Sequence, residues 1–259
     1  MAEENKKVEF RLYYWPGFPG RGEFMRLLFA ETQTPYEDVF ADKTFEEAKK
    51  MGYGKGKRHF AFPVLEHGDL YLSQTPVICR YLGRKLDDGR LFPKNEKDQL
   101  QAEMIMAGIV DMVEEGLRAW HAIDTNAGYH QQKEETQPFI EYYKSRRLPK
   151  WLDFFETLLT ENYMKTGKFV FVGNDLSWVD LCVFHVIDGN LFECPEVFDK
   201  EPTEYLKKFH SAIGQRPNIK AWMSSEKRQK YTHTGPIVWV KTTLELDGCF
   251  WLPGYVKKF

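Results

Sequence analysis

The texture of the chain changes once, at Asp87-Asp88-Gly89-Arg90-Leu91-Phe92-Pro93, and that change limits the folds open to it. Before it, short runs of β-formers alternate with helical periods: strands are expected over residues 8–14, 37–40, 62–66 and 70–72, and helices over 20–31, 45–50 and 75–86. A strand, a helix and a strand in succession imply a right-handed crossover and a small mixed sheet. Beyond the break the periodicity is helical, with helices expected over 96–121, 137–165, 178–192, 203–214 and 218–230 and no strand required. The fold class is therefore α/β plus all-α: a first domain over 1–86, an all-helical domain over 94–230, and an extension over 231–259. The extension should be ordered, because Ile237-Val238-Trp239-Val240 and the aromatic end hold too many apolar residues for a loose tail.

The bulk numbers exclude several classes of function. The 259 residues are 42% hydrophobic and 15% aromatic, enough for a sizeable core, so a disordered chain is excluded. A formal net charge of -2 with mixed signs leaves no broad basic face, so no nucleic-acid partner is expected. Residues 1–7 are polar and the longest apolar runs are far too short to span a bilayer, which points to no membrane span and a cytoplasmic location. Cys79, Cys182, Cys194 and Cys249 form no C-x-x-C pair, which suits neither a disulfide framework nor a zinc site; no metal is expected and a reducing compartment fits.

Two segments carry chemistry. In Leu12-Tyr13-Tyr14-Trp15-Pro16-Gly17-Phe18-Pro19-Gly20-Arg21-Gly22-Glu23, strand alternation separates Tyr14 from Tyr13, and a Pro/Gly-rich loop leaves the strand end open beside a helix N-terminus. A phenol there can donate to a developing thiolate, with Arg21 and the helix start supplying positive potential. In Phe62-Pro63-Val64-Leu65, the proline opening a strand is a candidate cis proline, and a bound peptide could pair with Phe62 as an extra strand. Leu72-Ser73-Gln74-Thr75-Pro76 reads as a helix start, with Thr75 as cap, Pro76 at the first helical position and bare amides that suit a carboxylate. Taken singly, each has an ordinary reading: Tyr14 as a core aromatic, Thr75-Pro76 as a capped helix.

Taken together, Leu12-Tyr13-Tyr14-Trp15, Gly20-Arg21-Gly22-Glu23-Phe24-Met25-Arg26, Phe62-Pro63-Val64-Leu65 and Leu72-Ser73-Gln74-Thr75 resemble the glutathione-binding half of cytosolic glutathione transferases of the Tyr type. The likeness is greatest to the sigma class, which includes glutathione-dependent prostaglandin D synthases. Asn174-Asp175-Leu176-Ser177-Trp178-Val179-Asp180-Leu181 resembles the family's capping box and hydrophobic staple, a folding element. The resemblance implies a thioredoxin-like first domain, an all-helical second one, glutathione as co-substrate and a homodimer. It assigns Tyr14 to the thiol with Arg21 in support, the backbone of Phe62 before Pro63 to the cysteinyl unit, and Gln74 and Thr75 to the γ-glutamyl carboxylate. Phe45 and Lys49 would reach the glycine carboxylate, and Ala61 stands where sigma members often carry lysine.

There are departures from the pattern. The segment Gly52-Tyr53-Gly54-Lys55-Gly56-Lys57-Arg58 is extra, so Lys55, Lys57 or Arg58 could replace Lys49, or the run could be a solvated loop. Asp111, Glu114 and Glu115 share a helix face at i, i+3 and i+4. In the family an acidic residue here reaches across the dimer to glutathione, which marks Asp111 or Glu115; a plain charged surface is the ordinary reading. A pocket for a small hydrophobic electrophile is expected around Phe18, Met106 and Trp120, with Trp239 or Trp251 of the extension. The expected activity is conjugation of glutathione to apolar electrophiles. The alternatives are a prostaglandin isomerase or a structural or ligand-carrying descendant; a thioredoxin-like redox protein is disfavoured because the loop after Tyr14 has no cysteine.

Overall fold

The computed structural model describes residues 8–52, 59–124 and 127–233. The first half forms β1 (Phe10–Tyr13), α1 (Glu23–Thr32), β2 (Tyr36–Asp38), α2 (Phe45–Met51), β3 (Val64–His67), β4 (Leu70–Ser73) and α3 (Thr75–Lys85). The sheet order is β2-β1-β3-β4, with β1 parallel to β2 and antiparallel to β3, and β3 antiparallel to β4. This is the mixed sheet expected from the sequence. Alternation along β1 separates its faces: Leu12 lies in the core with residues of α1 and α3, while Arg11 reaches across the neighbouring strands to Glu37 at 2.7 Å and Glu66 at 3.3 Å.

The second half is helical: α4 (Glu96–Trp120), α5 (Lys133–Tyr142), α6 (Leu148–Thr166), α7 (Trp178–Glu193), α8 (Pro195–Lys200), α9 (Glu204–Gly214) and α10 (Pro217–Met223). Residues 137–165, expected as one helix, lie in a helical stretch that runs unbroken from 133 to 166 and includes α5 and α6. A turn of π-helix over Tyr143–Arg147 separates α5 from α6, and Pro149, which lacks an N–H and crowds the carbonyl four residues back, sits in the first turn of α6. The six-residue α8 was not expected, because so short a helix shows no period. The last helix ends at Met223 instead of continuing to residue 230, and the chain then turns back over α1 and α7.

Helix α7 is apolar nearly all round and therefore buried: Val179, Leu181, Cys182, Val183, Val186 and Ile187 are fully enclosed. It packs on α1 and α3 as well as on α4 and α9, so it is the post against which both halves lean. Its start is fixed by Asp180, whose carboxylate accepts from the Ser177 amide at 2.7 Å, the Ser177 hydroxyl at 2.8 Å and the Phe171 amide at 2.7 Å. Burial still pushes that carboxyl up, to about 6. The expected linker is an ordered turn, Leu86–Gly89, and Leu91 beyond it is buried with its carbonyl accepting from the Trp178 amide at 2.9 Å.

Candidate active site

Strand register gathers the sequence motifs at one end of the sheet. Tyr13 pairs with Val64 and Val64 with Ser73, so the residues just past them, Tyr14, Phe62-Pro63 and Gln74-Thr75, come to one edge. The Phe62-Pro63 bond is cis, as the sequence suggested. Tyr14, Phe18, Phe40, Ala48, Phe62 and Val64 form one apolar cluster. Trp15, part of the Leu12–Trp15 motif but given no role from the sequence, ties it together: its ring stacks on Phe45 at 4.5 Å and meets Phe62 edge-on at 4.7 Å. An aromatic next to Tyr14 was the available signal.

Tyr14 and Tyr13 have opposite environments. The Tyr13 hydroxyl donates to Glu66 at 2.6 Å. The Tyr14 hydroxyl instead accepts, from the Arg21 backbone N–H at 2.8 Å, and its own hydrogen has no acceptor among the described residues. Its side chain is fully buried, and burial pushes the phenol up to about 12, against the downward pull of the Arg21 N–H and of the Arg21 and Arg26 charges. At neutral pH it is a hydrogen-bond donor and not a base.

The turn that supplies this amide, Gly20–Gly22, is shaped for the purpose. Gly20 has φ +47, and a Cβ there would lie on the Tyr14 hydroxyl and 2.9 Å from Cε1 and Cζ of its ring. Arg26, buried on α1, donates to the Pro19 carbonyl at 3.1 Å and to Asp38 at 2.7 Å, which fixes the entry to the turn. The Arg21 guanidinium lies 3.6 Å from Glu114 of α4. Burial lowers its pKa, while Tyr14 and Glu114 act to hold the charge.

The Gln74-Thr75 motif, expected to meet a carboxylate, differs from expectation in one detail. Gln74 and not Thr75 is the residue before the helix: it takes φ +73, Thr75 becomes the first helical residue and Pro76 the second. Either place in the first turn spares Pro76 a lost hydrogen bond. Gln74 is exposed, whereas Thr75 is buried with a hydroxyl that has no partner among the described residues. Ala61 is half-buried beside this edge. Phe45 opens α2, and Lys49 in its last turn has no carboxylate partner among the described residues.

The acidic trio of α4 is divided by its partners. Glu115 accepts from two nitrogens of Arg147, at 2.6 and 2.8 Å, and from Trp151 at 2.9 Å. Burial would raise its pKa, but these donors outweigh it and hold the carboxyl below its ordinary value. Asp111 is exposed. Glu114, the member not singled out from sequence, is the one that meets Arg21. Met106 and Trp120, at 1% and 2% exposure, lie inside the helical core, and Phe18 packs edge-on to Tyr14 at 6.0 Å. All three are buried because the apolar stripe of α4 and the loop after β1 face the packed interior. Lys55, Lys57, Arg58, Trp239 and Trp251 lie outside the described residues. Among those described, no group of three or more His, Cys, Asp or Glu side chains could hold a metal, and no helix is long and apolar enough to cross a membrane.

Comparison with known proteins returns matches over most of the chain. A model of the glutathione S-transferase N-terminal domain matches residues 9–84, and one of the glutathione S-transferase C-terminal domain matches residues 119–226. A glutathione S-transferase of Plasmodium falciparum (isolate 3D7) is 31% identical over 226 residues, which span 85% of this chain and 97% of that protein. Among solved structures, a Pi-class glutathione S-transferase of Onchocerca volvulus superposes with a TM-score of 0.63 at 24% identity, covering 83% of this chain and 92% of that one. Prostaglandin synthase D of Nilaparvata lugens gives 0.66 at 21% identity, covering 84% and 98%. At such identities these two structures speak to the fold.

Proposed function

Because the chain belongs to the glutathione S-transferase family, a family of transferases with glutathione as co-substrate, we propose that Tyr14 is the residue through which it activates the glutathione thiol. The observation that carries this is the hydrogen-bond state of its hydroxyl. The oxygen already accepts from Arg21, so the hydrogen is the group left to offer a ligand. A phenol that stays protonated and donates to sulfur favours the thiolate over the thiol, and the thiolate is the nucleophile. Arg21 adds positive potential, and the start of α1 adds more.

The remaining contacts follow the peptide. The backbone of Phe62 would hold the cysteinyl unit beside Tyr14. Gln74 and the unpartnered Thr75 hydroxyl would take the γ-glutamyl carboxylate at the N-terminus of α3. Lys49, with Phe45, would meet the glycine carboxylate. The electrophile is an apolar one, in keeping with the aromatic cluster around Tyr14 and Trp15, and the class is Tyr-type, nearest sigma. A second copy of the chain would lie across the exterior of α3 and α4, where Val77, Leu100 and Met104 are exposed.

The test is Tyr14→Phe, assayed by retention on immobilised glutathione and by conjugation of a chromogenic aryl halide. A hydrogen bond to a charged group contributes about 1.5–3 kcal/mol. The variant should therefore bind glutathione yet lose about 10- to 150-fold in rate. The apparent pKa of the bound thiol should rise by about 1–2 units. Unchanged rate and thiol pKa would overturn the assignment.

A further inference from the structure

The Arg21 amide that holds Tyr14 and the Gly20 carbonyl belong to one peptide group. The other end of that group is gripped from the helical half: the buried His185 of α7 donates from Nε2 to the Gly20 carbonyl at 2.9 Å. A carbonyl only accepts, so Nε2 carries the hydrogen, and in the neutral ring Nδ1 is left as an acceptor. Facing Nδ1, at 3.2 Å, is the hydroxyl of Tyr231, on the segment that turns back after α10. From His185 inward the donors point the same way: His185 N–H to the Gly20 carbonyl and the Arg21 N–H of that peptide to Tyr14, whose O–H is left for a ligand, while the Tyr231 hydroxyl lies between His185 and Asp188. Hydrogen bonds in such a chain polarise one another, so each link makes the next donor stronger.

Resting on the reading of Tyr14 above, we propose that His185, its tautomer fixed by the Gly20 carbonyl, is a positioning residue for catalysis, with the Tyr231 hydroxyl against its Nδ1. Together they orient and polarise the Gly20-Arg21 peptide that holds the Tyr14 oxygen.

The surroundings are built to keep this histidine in one place and one state. Phe24 of α1 meets its ring edge-on at 4.7 Å. Burial holds its pKa below the usual histidine value, and the charged groups that face it offset one another: Glu23 and Asp188 favour its protonation while Arg228 opposes it. Arg228 bonds both carboxylates, at 3.2 and 2.9 Å, and Trp222 donates to Glu23 at 2.8 Å, so the residues flanking Tyr231 are pinned to α1 and α7. The arrangement reaches Tyr14 through one peptide plane.

The experiment uses the full chain with His185→Phe, His185→Gln and Tyr231→Phe, each alone and in a Tyr14→Phe background. The readouts are KM for glutathione, kcat, and the pH profile of kcat/KM. His185→Phe should leave KM within about twofold and lower kcat about tenfold, the worth of one ordinary hydrogen bond. It should also move the thiol's apparent pKa upward. Glutamine, which can present an N–H near the Nε2 position, should restore most of the loss. Tyr231→Phe, a milder change at a partly exposed site, should shift both in the same direction by less. In the Tyr14→Phe background none of the three should matter, because the donor they serve is gone. The proposal is overturned if folded His185→Phe and Tyr231→Phe leave the pH profile in place, if glutamine is as damaging as phenylalanine, or if the effects add fully to that of Tyr14→Phe. Tyr14→Phe alone tests the underlying reading: a shift there without one at His185 sinks only the relay.

Discussion

Gly20→Ala isolates the close approach on which the site depends. Two separate penalties arise. The first is conformational: φ is +47, and a side chain in that region costs about 1–2 kcal/mol. The second is steric, since the new methyl group would sit on the Tyr14 hydroxyl and 2.9 Å from two ring carbons, well inside ordinary contact. Tyr14 has little room to retreat, being fully buried, with Phe18 edge-on at 6.0 Å and Gly22 so close that a Cβ there would lie 2.6 Å from the ring. Overpacking of this kind costs about 1–3 kcal/mol. Loss of the bond from Arg21 adds about 1 kcal/mol. The sum is about 3–6 kcal/mol, enough to move a urea midpoint substantially. The control is Gly167→Ala, at φ +68 with nothing within 4 Å of its Cβ, where only the conformational cost of about 1–2 kcal/mol applies. Urea unfolding of both variants separates the two penalties. Conjugation rates should fall about 100-fold for Gly20→Ala, as for a misplacement of about 1 Å, and stay near wild type for Gly167→Ala. Equal destabilisation of the two, with the Gly20 variant fully active, would refute the claim that this glycine exists to admit the Tyr14 hydroxyl.

Two further outcomes test separate parts of the structure. Gln74→Gly removes a side chain held at φ +73; relief of that strain should raise stability by about 1 kcal/mol in thermal unfolding, while loss of the proposed carboxylate contact should raise KM for glutathione and leave kcat near its starting value. An unchanged KM would remove Gln74 from the site. Asp188 offers a pH test: burial acts to raise its carboxyl, but His210 at 2.9 Å and Arg228 at 2.9 Å outweigh it, so its folded pKa lies below the ordinary value. The folded chain then binds fewer protons than the unfolded one in that window, so the stabilisation is present above about pH 4 and is lost as pH falls through the folded pKa. Asp188→Asn should lower the urea midpoint at pH 7 and flatten its decline at acid pH.

Much of the fold was legible because it rests on local periodicity. The strand and helix order of the first half, the long α4 and the start of α7 at Ser177 all follow from spacing and capping residues, and they appear within a few residues of their expected places. What was not legible also has local causes. The π turn between α5 and α6, next to Pro149, leaves the stretch helical throughout and so makes no mark on its period, and α8 is too short to show one.

The sequence by itself determined which residues could do chemistry here: a tyrosine at a strand end beside a glycine-rich turn, a Phe-Pro opening a strand, and a Gln-Thr pair at a helix start. Those pairings of residue type with backbone context are encoded within a few positions of one another. Only the tertiary structure decided their partners. It set Tyr13 on Glu66 and left the Tyr14 hydrogen unclaimed, chose Glu114 over its neighbours to face Arg21, gave Glu115 to Arg147 and Trp151, and brought His185 from 165 positions away onto the peptide that holds Tyr14. The physical reason is that a helix face is set by local period, whereas the surface it meets is set by the packing of α1, α4 and α7 together.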